Sequence, residues 1–167
     1  PKWTEVVYLM TCKINADTSD GLKIVSDTSG AVDFQSNGTT RASIDAAGNL
    51  KINSGLGSVE TAYGCRAWIK LTGTGTAAEV ESGNVASITD RGTGTYTVTF
   101  TTAMPDANYA AVVGTTWATG VTEHVTGLVY NDAPYAPATG SVTAKTYNFT
   151  NAGAAVDATT VYVAVFR

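Results

Sequence analysis

The chain has 167 residues, enough for one domain of ordinary size or for one domain with an appended stalk, and the strand pattern along it points to the second. Charged residues are only 14% of it, against about 25% in typical soluble domains, so the surface is built largely from neutral polar groups, as suits an extracellular β protein. Ten basic residues against 14 acidic, a net charge of −4 and the lack of any basic cluster exclude the electrostatic footprint of a nucleic-acid binder. No apolar run approaches the roughly 18 residues that span a bilayer, and no charged-then-apolar leader stands at the start, so neither membrane insertion nor secretory export is expected.

The opening, Pro1-Lys-Trp-Thr without a methionine, reads as a processed product or a fragment of a longer protein. Within residues 5–14, Val6, Val7, Tyr8, Leu9 and Met10 form a short apolar run that fits a buried strand or packing against neighbouring chains. Four short strands follow at 21–25, 31–34, 41–45 and 49–52, separated by turns of Asn, Asp, Gly and Ser chemistry. Regular spacing of this kind predicts a repeating β unit. Such short strands cannot enclose a core by themselves. A symmetric trimer would cover them by turning Leu22, Ile24, Val32, Phe34, Ile44, Leu50 and Ile52 to a common axis, leaving Lys23, Asp33, Arg41, Asp45 and Lys51 outward. The alternative is an ordinary meander packed on the second half of the same chain.

Residues 54–63 form a polar, glycine-containing connector in which Leu56 and Val59 are the aliphatics, and the boundary is placed there. Three segments result: an N-terminal segment with a β-rich shaft at 1–53, the connector at 54–63 and a tip domain at 64–167. Strands are predicted in the tip at 65–72, 77–81, 85–90, 95–101, 109–116, 124–130, 141–150 and 159–166. Alternation is clearest where Tyr96, Val98 and Phe100 interleave with threonines, and in Cys65-Arg-Ala-Trp-Ile-Lys-Leu71. These two runs read as paired inner strands, and Pro105 marks the loop that closes the later one. The expected fold is all-β: a short-strand β shaft followed by a C-terminal antiparallel β-sandwich, homotrimeric, with very little helix.

The sequences GCRAWIKLTGTGT, SGNVASITDRGTGTYTVTF and AMPDANYA resemble the distal domains of bacteriophage fibre proteins, chiefly tail fibres. The likeness covers roughly residues 62–114 closely and the rest, to Arg167, loosely, through a threonine-rich strand pattern and the closing run VYVAVFR. It implies a trimeric virion fibre whose tip touches the host surface, joined to other virion proteins through an N-terminal part not seen in this sequence. No catalytic motif comes with it.

Candidate chemistry is sparse. Cys12 and Cys65 are too few for a disulfide framework and, with one histidine, supply no tetrahedral metal site; both are expected as buried free thiols. His124, the sole histidine, sits in no nucleophile elbow or zinc-binding helix. Glu79 and Glu81 are the closest thing to a paired carboxylate, but the alternation makes them a solvated face with Val80 inside. The glycine–threonine run TGTGT at 72–76 is a turn rather than a phosphate loop, and Asp90 and Asp132 lie in no dense acidic loop that would hold calcium. No metal and no cofactor are expected.

What remains is a binding surface. Trp117-Ala-Thr-Gly120 and residues 131–138 connect strands, and connectors cluster at the ends of a sandwich. Trp117, Tyr130 and Tyr135 offer flat faces with polar edges suited to sugar rings or a protein epitope. His124, Asn131 and Asp132 supply hydrogen bonds beside them. Tyr135, between two prolines, is expected to be exposed, while Trp3 and Trp68 are assigned to packing. The reading is a non-enzymatic virion fibre protein that attaches to a host-surface glycan or protein. The alternatives are a depolymerase of surface polysaccharide, with acids at chain interfaces, and a capsid head fibre or decoration protein.

Overall fold

The computed structural model describes residues 29–55, 57–116, 125–148 and 153–167. The apolar run at 5–14, the strand at 21–25 with Leu22 and Ile24, Cys12, Trp117 and His124 lie outside the described residues. The chain is all-β, with three antiparallel sheets and, among the described residues, no helix. It divides into two compact units, Pro1–Ala62 and Tyr63–Arg167.

In the first unit, β1 (Val32–Ser36), β2 (Thr39–Ile44), β3 (Leu50–Ile52) and β4 (Glu60–Thr61) form one sheet in chain order. Asn37 and Gly38 both take positive φ, 51° and 69°, which lets a two-residue turn match the twist of the β1–β2 hairpin. The next turn is held by Asp45, whose carboxylate accepts the Ala47 and Asn49 N–H groups at 3.0 and 2.9 Å. Register then decides the faces, because residues opposite one another in a ladder share a side. Val32 lies opposite Ile44 and Ile44 opposite Leu50; Phe34 lies opposite Ala42 and Ala42 opposite Ile52. Two apolar rows therefore run across one face, while Asp33, Ser43 and Lys51 align on the other. In the single chain this apolar face is open: Phe34 is 48%, Ile44 43%, Leu50 50% and Ile52 42% exposed. Part of the expected connector, Glu60–Thr61, is itself a strand paired with β3.

The second unit holds β5 (Cys65–Thr72), β6 (Ala78–Gly83), β7 (Val85–Asp90), β8 (Thr95–Phe100), β9 (Ala110–Thr115), β10 (Val125–Val129), β11 (Ser141–Asn148), β12 (Ala154–Ala155) and β13 (Thr160–Phe166). One sheet runs β6-β5-β13-β9; the other runs β10-β11-β8-β7, with β12 on the end of β11. Both sheets feed one buried cluster: Ala67, Ile69 and Leu71 from β5, Tyr96, Val98 and Phe100 from β8, Val142 and Ala144 from β11, and Val161, Val163 and Val165 from β13. Removing these side chains from water is the main stabilising term. The runs at 65–71 and 95–101 are inner strands, as expected, but they do not pair: β5 bonds to β6 and β13, β8 to β7 and β11.

At one side, β6 and β7 are joined through Asn84 alone, in the left-handed region at φ 58°. At the other, edge strands β9 and β10 meet where Gly127 has no side chain; a Cβ there would collide with Val113. Thr115 Oγ1 donates to the Val125 carbonyl at 3.1 Å across this junction, but among the described residues no ladder closes it into a barrel.

Three expectations are corrected here. Cys65 is exposed, not buried, at the first position of β5. Trp68 shares its face of β5 with Lys70, away from the core, and lies half open with Tyr162 and Val112 around a shallow apolar depression of about 430 Å³. Val80 is also exposed, because the β5–β6 register shifts between Lys70 and Leu71. That shift sets Glu79 opposite Leu71 and Glu81 opposite Lys70, so the two acids do not share a face.

Candidate functional site

The outer face of the β10-β11-β8-β7 sheet is built from the polar half of the strand alternation. Thr97 of β8 lies opposite Thr143 of β11, and Lys145 of β11 opposite Leu128 of β10. An outer face is ordinarily solvated, yet Thr97 and Thr143 are buried. The cause is the connector after β10, which folds back over the sheet instead of standing at its end. Its turn carries a cis Ala133–Pro134 bond, and the Tyr135 N–H donates to the Asp132 carbonyl at 2.7 Å. Pro134, Tyr135 and Ala136 then wall a groove of about 270 Å³ whose other lining comes from Arg91, Thr97, Ser141 and Thr143.

Polar geometry at the groove is specific. Arg91 Nε donates to Thr97 Oγ1 at 3.3 Å, and the Thr97 and Thr143 hydroxyls are 3.0 Å apart. The Arg91 guanidinium carbon stands 6.0 Å from the centre of the Tyr135 ring. Tyr135 in turn stacks on Tyr130, with ring centres 5.4 Å apart and planes 30° from parallel. Beyond that pair, Lys145 Nζ lies 4.4 Å from the centre of Tyr130 and 5.1 Å from that of Tyr147. The neighbouring Tyr147 hydroxyl, above all, raises the Lys145 pKa. Cations thus flank a tyrosine stack on both sides, the arrangement that cation–π attraction favours.

Of the residues singled out in the sequence, the structure brings Tyr130 and Tyr135 into contact and places Asn131 and Asp132, both exposed, on the same connector. Tyr135 is half-buried by its stack, not freely exposed. Trp117 and His124 lie outside the described residues. The structure adds Lys145, Tyr147 and the Thr97–Thr143 pair, which stand on strands rather than on the aromatic connectors where the site was expected, and Arg91, which lies on the β7–β8 connector, a stretch without an aromatic. The alternation Ser141, Thr143, Lys145, Tyr147 is the signal that marks one strand face.

Elsewhere, Tyr96 is fully buried; its hydroxyl lies 2.9 Å from the Gly73 carbonyl and 3.0 Å from Asp157 Oδ1, which also accepts the Gly94 N–H at 2.6 Å. Burial first, then the negative charge of Asp157, pushes the Tyr96 pKa up, so the phenol stays neutral and structural. Among the described residues, no group of three or more His, Cys, Asp or Glu side chains is placed to hold a metal. Comparison with family models, curated proteins and solved structures finds no match for this chain.

Proposed function

We propose that the chain is the distal part of a virion fibre: a non-enzymatic homotrimer in which a short-strand β shaft precedes a β-sandwich tip that attaches to a glycan or protein of the host surface. The observation that carries this reading is the open apolar face of the β1–β4 sheet. Its rows Val32–Ile44–Leu50 and Phe34–Ala42–Ile52 stay in water on a solitary chain, at a cost of roughly 25 cal/mol for each Å². Copies that turn these rows to a shared axis remove the cost. The number three comes from the resemblance of residues 62–114 to fibre domains.

In the second unit, two sheets that share one cluster support the sandwich, and the tyrosine-walled groove supports attachment. Three weak sites on one particle gain by effective concentration, so a shallow groove suffices. Opposite register of Glu79 and Glu81 gives a depolymerase no paired carboxylate there.

Adsorption of the purified protein to host cells tests the proposal, with reducing ends assayed in parallel on host polysaccharide. Saturable adsorption without new reducing ends is expected; sustained oligosaccharide release contradicts the non-enzymatic reading. Immunogold labelling of virions distinguishes a tail fibre, the expected position, from a head fibre or decoration protein.

A further inference from the structure

The groove beside Tyr135 is more selective than attachment alone requires. Arg91 and Lys145 are the cations nearest its tyrosine wall, and neither is in an ion pair among the described residues, where the pairs are Lys51–Asp45 and Arg167–Asp106. Asp90, next to Arg91 in sequence, is turned to the Gly92 N–H at 2.9 Å, and Asp132, on the connector itself, bridges to neither cation. Both cations stand on one aromatic cluster of a chain whose net charge is −4. Arg91 spends its Nε–H on Thr97, which fixes the guanidinium plane and leaves its terminal N–H groups open. Thr97 and Thr143 add a further donor. They have two hydroxyl protons between them, and their mutual bond uses one. The remaining proton belongs to a buried pair that lines the groove, where an acceptor entering the groove can receive it. Tyr135, backed by its stack on Tyr130 and with the Arg91 guanidinium carbon 6.0 Å from its ring centre, supplies an aromatic wall. A volume of about 270 Å³ is just below that of pockets for drug-sized ligands, which start near 300 Å³, and is of the size for a single sugar ring.

We infer that this groove takes an anionic sugar: one pyranose of an acidic polysaccharide, its ring against Tyr135, a ring oxygen or hydroxyl on the Thr97–Thr143 pair, and its carboxylate or phosphate on Arg91, with Lys145 receiving a neighbouring negative group. The inference rests on the attachment reading and narrows it to a charge class. A guanidinium fork is matched to either anion in a bidentate pair, while the lysine acts as a point charge.

The test measures the 167-residue protein on immobilised polyglucuronate, polygalacturonate and polysialate, each beside its carboxyl-reduced form, and on phosphomannan beside its dephosphorylated form. Binding to at least one acidic polymer is expected, tenfold or more tighter than to its neutral counterpart and weakening as salt rises. The polymer that binds separates carboxylate from phosphate. On that polymer Arg91→Gln and Lys145→Gln each lose about tenfold, the loss expected for a hydrogen-bonded charge partner, with melting temperatures unchanged. Arg91→Lys recovers only part of the loss because the fork is gone. No preference for any acidic polymer overturns the inference, as does wild-type affinity in both glutamine variants. Cell adsorption scores the attachment reading separately. Adsorption that survives Arg91→Gln and Lys145→Gln but falls with Tyr135→Ala leaves attachment standing and removes the charge class, whereas a wild-type protein that adsorbs to no host cell removes both.

Discussion

The side-chain amide of Asn84 pairs with both polar groups of the Thr102 backbone: its Oδ1 accepts the Thr102 N–H at 2.7 Å and its Nδ2 donates to the Thr102 carbonyl at 3.0 Å. The same Nδ2 donates to the Arg66 carbonyl at 3.0 Å. One side chain thus ties the corner between β6 and β7 to strand β5 of one sheet and to the segment leaving β8 of the other. Asparagine is suited to the position because it tolerates positive φ and carries a donor and an acceptor on a short stem.

Replacing Asn84 with Ala is expected to cost about 2–4 kcal/mol, from the lost hydrogen bonds and the left-handed backbone together. That corresponds to a fall on the order of 10 °C in the melting temperature of the second unit. Asn84→Gly, free of the backbone penalty, recovers part of it. Calorimetry on the three proteins checks the order; equal melting temperatures would mean that the corner is held by other bonds.

Alkaline pH should weaken the second unit through Tyr96. Its phenol ionises in the unfolded chain near pH 10, whereas burial and Asp157 raise the folded value. Above pH 10 the unfolded state therefore binds fewer protons than the folded one, and stability that is complete below that pH declines as pH rises. Tyr109, raised by burial, adds to the trend. Urea unfolding at pH 8 and pH 11 should show a clear loss for the wild type and a smaller one for Tyr96→Phe. At pH 8 the Phe variant should lie about 1–2 kcal/mol lower, since the Gly73 carbonyl loses its donor. An equal alkaline slope in both proteins would contradict the assignment.

Acid acts on the other unit. Hydrogen bonds from Asn49, first through its backbone, hold the Asp45 pKa down at about 2, and Lys51 Nζ lies 3.3 Å from the carboxylate. The stabilisation is present above the unfolded value near 3.8 and is lost as pH falls toward 2. Amide exchange of Asn49 should accelerate across that window relative to a neighbouring amide outside the turn. Asp45→Ala should exchange fast at every pH; protection of Asn49 in that variant would show that the turn does not depend on the carboxylate.

Strict alternation made much of this structure legible in the sequence. Tyr96-Thr-Val-Thr-Phe100 gave the core face of β8, and Asn37-Gly38 gave a hairpin turn whose register aligns Phe34, Ala42 and Ile52. Two-residue strands such as β4 and β12 are too short to carry a period, and both were missed. The exposure of Val80 depends on a register shift that no alternation announces. Trp68 was readable, since it alternates with Ala67 and Ile69 of the core, but its bulk argued for packing. The groove was not readable, because it exists only where a connector folds back and brings residues 91, 97, 135 and 143 together.

Light scattering on the 167-residue chain tests assembly through the β1–β4 apolar face most directly. The wild type should run as a single species of three times the 17.2 kDa chain mass. Phe34→Asp and Ile44→Asp each place a charge among the facing apolar rows and should shift the mass to that of the monomer or prevent assembly altogether. A stable, folded monomer of 17.2 kDa for the wild type, or a trimer unaffected by both substitutions, would contradict the shared axis.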